Sequence, residues 1–416
     1  MKGVTRRSAC RLCGSAALEC VLPILPSAVG DAFVPASRLS ETQDLYPLDC
    51  YLCLDCGHLQ NLDVVDPDVL FREYTYRTSV SLGLVEHFRK YAEDCAVDLG
   101  LAEGGLVVEI GSNDGSLLKA FKKLGMRVVG VDPASNIAAA ATAEGIPTIP
   151  EFFSSQIAAA ILADHGPADL CCANNVFAHI DNMSDIATGI RILLGSNGVF
   201  VFEVSYIVDM IDNMVFDTIY HEHVSHHALQ PLEAFLSRHD LTLFDAMRAE
   251  TKGGSIRGFA QPLAAASRPR SERLKKMIAE EYRRGVTTSQ VYLEWFNAIE
   301  ARKRAVLVHV DNAIASGKTI AGYGASTTTT TLLYHFELEK RLKFIVDDNP
   351  LKQGTFSPGA HIPVVASSEL VSRKPDIVII LAWVYADPII KRNQAYVDAG
   401  GRFLVPLPEM RLIGSG

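Results

Sequence analysis

No apolar stretch in this 416-residue sequence is long enough to span a bilayer. The longest, IVIILAWVYA near the C-terminus, reads as a buried strand running into its loop. The opening residues, MKGVTRRSACRLCG, lack the apolar core of a signal peptide. Low-complexity tracts, long charge runs and repeats of solenoid length are also missing, which excludes repeat architectures. The net charge is −9 and no basic stripe is visible, so a nucleic-acid partner is not expected. These absences predict a soluble, cytoplasmic protein with neither a membrane nor a nucleic-acid partner. What is present is globular: 48% of residues are hydrophobic, enough for more than one core, and the length suits two or three domains.

Six of the nine cysteines lie in the first 56 residues. A disulfide-stapled secreted domain would spread them differently and would rarely be this long. Cys10-x2-Cys13 and Cys53-x2-Cys56 instead form two paired CxxC turns, each followed by glycine (Gly14 and Gly57). Two such turns can place four thiolates tetrahedrally around Zn2+. Four thiolates fill the coordination sphere, so this metal is expected to be structural. Cys50 is the alternate ligand. A redox dithiol is the weaker reading, because no thioredoxin-like context surrounds the pairs.

Three blocks follow from the pattern: 1–65 with the cysteines, 66–265, and 266–416. The second opens with LVVEIGSNDGSLLKAFKKLGMRVVGVDP, a strand, a Gly-containing turn, a helix and a strand. Apolar strands and amphipathic helices then alternate through GVFVFEV, which predicts an α/β domain with a parallel sheet covered by helices on both faces. LTLFDAM and SIRGFAQ add two more strands. The third block carries GKTIAGYGAST, LKFIVDDNP, PDIVIILAW and GRFLVPLP, a smaller Rossmann-like α/β unit.

Glu109-Ile-Gly111-Ser112-Asn113-Asp-Gly115 ends the first strand of the second block. Glycine there lets backbone approach a ligand closely. Asp132, followed by Pro133, ends the next strand, where a carboxylate can accept both ribose hydroxyls of a nucleoside. Asn113 stands where a dinucleotide fingerprint needs its second glycine, so NAD is disfavoured. The pattern resembles the first motif of class I methyltransferases, which implies S-adenosyl-L-methionine as cofactor. Phe152 and Phe153 can flank the adenine, or be core. Asn174 and Asn175 can meet the methionine end.

Tyr220-His221-Glu222-His223-Val-Ser-His226-His227 concentrates four histidines, a carboxylate and a phenol, without the H-E-x-x-H spacing of a zinc protease. Histidine titrates near neutrality and suits proton abstraction; a polar surface loop is the competing reading. His179, in NNVFAHI, follows the fourth strand and so lies at the ligand-binding edge of the sheet.

Taken in order, CRLCG, CLDCGHLQ, EYTYRTS, EIGSNDG, NNVFAHI, IYHEH, GGSIRG, GYGAS and VDDNPLKQG resemble the bacterial deoxysugar C-methyltransferases, which act on dTDP-linked 4-keto sugars. The resemblance covers nearly the whole chain. It implies an N-terminal zinc-binding domain, a central S-adenosylmethionine-dependent methyltransferase domain and a C-terminal Rossmann-like domain. It also implies C3 deprotonation to an enolate and in-line methyl transfer, with His223 as base and Glu222, Tyr220, His179 and Tyr74 beside it. Tyr76, Lys252, Arg257 and Tyr323 are the implied contacts to the nucleotide sugar. Two departures stand out: Lys252 replaces a histidine frequent before GGS, and Ser326 replaces a lysine frequent after GYGA. The alternatives are an O- or N-methyltransferase, a nicotinamide-dependent oxidoreductase using GYGAS, and a zinc-anchored scaffold without turnover.

Overall fold

The computed structural model describes residues 3–71, 78–80 and 83–414. Its centre is a seven-stranded sheet built from β1 (Leu106–Ile110), β2 (Arg127–Val131), β3 (Thr148–Ile149), β4 (Ala168–Asn174), β5 (Leu194–Ser205), β6 (Leu241–Ala249) and β7 (Ser255–Pro262). Across the sheet the order is β6-β7-β5-β4-β1-β2-β3. Strands β1 to β5 run parallel, and β7 is antiparallel to both its neighbours. The parallel strands are near-continuous apolar runs because helices cover both faces. Helices Ser116–Lys123, Ser135–Ala143, Ser155–His165 and Met183–Leu193 make the crossovers. Two of them are capped by side chains: Ser154 Oγ accepts from Ile157 N at 3.2 Å, and Asn182 Oδ1 from Asp185 N at 3.3 Å.

The N-terminal block forms an antiparallel sheet of Leu18–Leu22, Cys50–Cys53 and Leu59–Asn61. A fourth strand comes from the histidine-rich segment: Ser225–His226 pairs with Leu59 and Gln60. The C-terminal sheet has the order Val364–Ala366, Ile345–Asp347, Ile320–Tyr323, Ile377–Ile380, Arg402–Val405, Arg411–Ile413, all parallel but the last. That is the Rossmann-like unit expected. Val34–Pro35 pairs with Thr355–Phe356, tying the first unit to the last. Helix Glu272–Arg284, though within the third block of the sequence, packs on the central sheet. Its buried Glu281 accepts from the Tyr206 hydroxyl (2.9 Å) and from Leu229 N (2.7 Å) and Gln230 N (3.0 Å). Among the described residues no helix is long and apolar enough to cross a membrane.

Arg257 does not reach a ligand cavity. It lies on β7 beside Glu203 of β5, and its Nε and Nη2 both donate to Glu203 Oε2 at 3.0 and 2.8 Å. Its guanidinium stacks 3.9 Å from the Tyr91 ring centroid. His87 Nε2 (2.8 Å) and Thr251 Oγ1 (3.0 Å) engage the other carboxylate oxygen. Burial pushes the Glu203 carboxyl up, but His87 and Arg257 outweigh it and hold the group below its ordinary range. The substrate contact expected of Arg257 is thus replaced by a buried ion pair. Removing one partner of such a pair strands the other charge, so Arg257→Met should cost roughly 3–5 kcal/mol in urea unfolding. Unchanged stability with a raised KM for the substrate would return Arg257 to substrate binding.

Candidate functional site

A cavity of about 410 Å³ opens at the carboxyl ends of β1, β2 and β4. Glu109, Gly111, Ser112, Asn113, Asp132, Pro133, Phe153, Asn174 and Asn175 all line it, as does Phe152. The turn after β1 is drawn onto β2: Gly111 N and Ser112 N both donate to Val131 O, at 2.7 and 3.2 Å. Gly111 has φ +67°, and a Cβ there would lie 2.3 Å from Val176 Cγ2, so only glycine fits. Asp132 fastens the same turn, accepting from Asn113 N (2.8 Å) and Ala134 N (3.0 Å). Each of its oxygens keeps a further lone pair for a ribose hydroxyl.

The cradle holds polar atoms that no neighbour satisfies. Glu109 Oε2, Ser112 Oγ and both amide atoms of Asn174 are buried without a hydrogen-bond partner among the described residues. Burial drives the Glu109 carboxyl well above its ordinary range. Buried polar groups are normally paired. A ligand with hydroxyls and an amino-acid end, such as S-adenosylmethionine, fits this donor and acceptor set.

His179, Tyr220 and Glu222 line the same cavity. His223, 7% exposed, stands behind Tyr220. The rings stack at 4.1 Å, and the Tyr220 hydroxyl is 2.9 Å from His223 Nε2. His223 Nδ1 lies 2.8 Å from Thr218 O. A carbonyl only accepts, so a proton sits on Nδ1, and in the neutral ring Nε2 is the acceptor that faces the phenol. His179 is 5.0 Å from the His223 ring and stacks on Phe71 at 5.5 Å. The other three histidines of the motif are buried braces. His221 meets Tyr46 O (3.2 Å), His226 meets Asn61 Oδ1 (2.8 Å), and His227 meets Phe177 O (3.2 Å). Burial lowers His221 and His227 to about 4, and His226 well below its usual value, so all three stay neutral.

Tyr74 and Tyr76 lie outside the described residues, as does the side chain of Lys252. Tyr323 is not on the cavity; its hydroxyl donates to the Asp348 carboxylate (3.0 Å) and accepts from Asn393 Nδ2 (3.2 Å) within the C-terminal unit. Sequence reasoning passed over Phe71, Val176, Asp181, Asn182 and Asp185, all on the cavity wall. Asp181 and Asn182 directly follow His179 and Ile180 at the carboxyl edge of the sheet, so the rule that selected His179 could have selected them.

The Sγ atoms of Cys10, Cys13, Cys53 and Cys56 lie within 4.8 Å of one another. Cys10–Cys56 and Cys13–Cys53 are 3.6 and 3.5 Å apart. A tetrahedron with Zn–S bonds of about 2.3 Å has sulfurs about 3.8 Å apart, so the thiols are set for this ion. Gly14 N donates to Cys10 O (2.9 Å) and Gly57 N to Cys53 O (2.8 Å), closing both knuckles. Gly14 and Gly57 take φ +77° and +75°. Cys50 stands apart, buried 3.7 Å from His226 Nε2.

Two outcomes follow. Elemental analysis should find one zinc per chain, lost in a Cys13→Ser/Cys56→Ser variant; full retention there would remove these thiols as ligands. Asp132→Ala should weaken S-adenosylmethionine binding by about 1.5–3 kcal/mol in calorimetry, because a charged acceptor is lost. Unchanged affinity would place the ribose elsewhere.

Comparison with known proteins bears on every part of the chain. Residues 10–71 match a family model described as a zinc binding domain, 85–245 a methyltransferase domain, and 250–408 a C-methyltransferase C-terminal domain. C-methyltransferase NovU of Streptomyces niveus is 38% identical over 374 residues, spanning 90% of this chain and 89% of that protein. Among solved structures, magnesium protoporphyrin IX methyltransferase from Synechocystis with bound SAM aligns at TM-score 0.33 and 14% identity, over 44% of this chain and 80% of that one. The 1,6-didemethyltoxoflavin-N1-methyltransferase of Burkholderia thailandensis aligns at 0.33 and 18%, over 42% and 77%. The chain belongs to the C-methyltransferase family, as an S-adenosylmethionine-dependent methyltransferase with an N-terminal zinc-binding domain.

Proposed function

We propose that this enzyme methylates C3 of a nucleotide-linked 4-keto-deoxysugar, with dTDP the favoured nucleotide, by way of an enolate. The observation that supports the reading is the Tyr220–His223 pair at 2.9 Å, with Tyr220 and His179 both on the cavity wall. An imidazole whose Nδ1–H is already held by Thr218 O has one nitrogen left to take a proton. A sulfonium methyl group is activated without help, so the residues beyond the cradle have one remaining task, which is to make a carbon nucleophile.

Asp132 would hold the ribose, Phe152 and Phe153 would flank the adenine, and Glu109, Asn174 and Asn175 would meet the methionine end of S-adenosylmethionine, all six lining the cavity. When bound, S-adenosylmethionine supplies an electrophilic methyl group to the substrate carbon. The 4-keto group acidifies the neighbouring C3–H. Tyr220 oxygen takes that proton as its own passes to His223 Nε2, leaving imidazolium on His223 and an enolate on the sugar. His179 donates to the developing O4 anion, where a positioned donor is worth most. Once the new C–C bond has formed, His223 releases one proton to solvent. Glu222, on the same wall, favours the imidazolium electrostatically. Tyr74, Tyr76 and Lys252 are assigned to the sugar nucleotide by the resemblance.

Enzyme, S-adenosylhomocysteine and a dTDP-4-keto-sugar in D2O should exchange deuterium into C3. His223→Gln should lower exchange and methylation by about 10²-fold or more while keeping cofactor affinity. Wild-type turnover should fall as pH drops, because the base must be neutral. A product methylated on oxygen, or full exchange in His223→Gln, would reject this mechanism.

A further inference from the structure

Arg11 sits inside the first zinc knuckle, between Cys10 and Cys13, yet its side chain leaves the metal and enters the catalytic domain. Its Nη1 donates to Val224 O at 2.9 Å and to Gln60 Oε1 at 3.2 Å. Its Nε donates to Asp181 Oδ1 at 3.0 Å, and its backbone N–H to Gln60 Oε1 at 3.0 Å. Val224 follows His223, and Asp181 stands two residues after His179 on the cavity wall. The Arg11 side chain is fully covered. We propose that Arg11 is a positioning residue for methyl transfer, a clamp that joins the loop bearing His179 to the loop bearing His223 and refers both to the zinc knuckle.

The geometry supports this in three ways. First, the two loops already meet at one point, where Val224 N and Ser225 N both donate to Ala178 O at 2.9 and 3.1 Å. Arg11 spans that junction from the side, so the 5.0 Å separation of the His179 and His223 rings is over-determined. Second, the fork of the guanidinium serves two diverging acceptors with one side chain, which a lysine cannot do. Third, the anchor is stiff. Cys10 N donates to Ser15 O (2.8 Å) and Gly14 N to Cys10 O (2.9 Å), and the four sulfurs stand within 4.8 Å of one another. Reacting groups must be held by neighbours that are themselves locked. Gln60 extends the lock: it accepts twice from Arg11 and lies across the strand pair from Ser225. Arg7 Nη1 holds the other Asp181 oxygen at 3.0 Å.

This inference rests on the proposal that His179 and His223 act on the substrate, and the test keeps the two apart. The full-length zinc-loaded enzyme is compared with Arg11→Met, Arg11→Lys, Asp181→Asn and the Arg11→Met/Asp181→Asn pair. Arg11→Met should keep one zinc per chain and wild-type affinity for S-adenosylmethionine. Its kcat should fall by about 10²-fold with little change in KM for the sugar, the size expected of a misplacement of about 1 Å. Deuterium exchange at C3 should fall by the same factor. Arg11→Lys should recover part of the loss. Asp181→Asn should lower kcat, and the double variant should be no slower than Arg11→Met, because both break one clamp. Wild-type kcat in Arg11→Met, or independent additive losses in the pair, overturns the clamp. Should Arg11→Met fail to fold with zinc, Asp181→Asn decides: wild-type kcat there also overturns it. If His223→Gln is inactive and Arg11→Met is fully active, only the clamp fails. If His223→Gln exchanges normally, the base assignment fails, whatever the Arg11 variants do.

Discussion

The pairing of Ser225–His226 with Leu59–Asn61 is the contact on which the placement of Tyr220, Glu222 and His223 depends. It makes the histidine-rich segment an edge strand of the zinc-domain sheet. The two residues of that strand follow His223 and Val224 directly, so the hydrogen-bond register of the sheet sets where His223 can lie. Asn61 N donates to Val224 O at 3.0 Å, and His58 Nε2 lies 3.2 Å from Ser225 Oγ. On its other side the segment hangs from Ala178 of the loop after β4. The zinc-binding domain therefore shares a sheet with the segment that carries Tyr220, Glu222 and His223.

That arrangement divides one motif into two sets of side chains. Tyr220 and Glu222 line the cavity, with His223 packed directly behind the phenol. His221, His226 and His227 point into the protein and brace Tyr46 O, Asn61 and Phe177 O. Desolvation keeps the buried three neutral, which suits their work as hydrogen-bonding wedges. Within this one motif it is the partner each ring meets, not its spacing, that separates His223 beside Tyr220 from the three braces.

The C-terminal unit grips the segment just ahead of these residues. Trp383 Nε1 donates to Asp217 Oδ2 at 2.8 Å, and Thr331 Oγ1 donates to Ile219 O at 2.8 Å. Burial pushes the Asp217 carboxyl up to about 7. Thr218, between them, offers the carbonyl that orients His223. All three units thus converge on the residues from Asp217 to His226.

Much of this was legible in the residues. The alternation of strands and helices, the Gly111 turn, Asp132 at the end of β2 and the two CxxC knuckles are local features. Each depends on a few neighbouring residues, so spacing and residue type suffice to find them. The histidine motif was also visible, and the family resemblance assigned His223 its role. Sequence could not show that Tyr220 stands between His223 and the cavity, that Arg257 is consumed by Glu203, or that Arg11 leaves its knuckle to hold Val224 and Asp181. Those facts come from pairings between residues far apart in the chain, where the register of one strand on another and the burial of a charge decide which side chains meet. Local spacing determined what this protein can bind; long-range packing alone decided which of its residues are free to act.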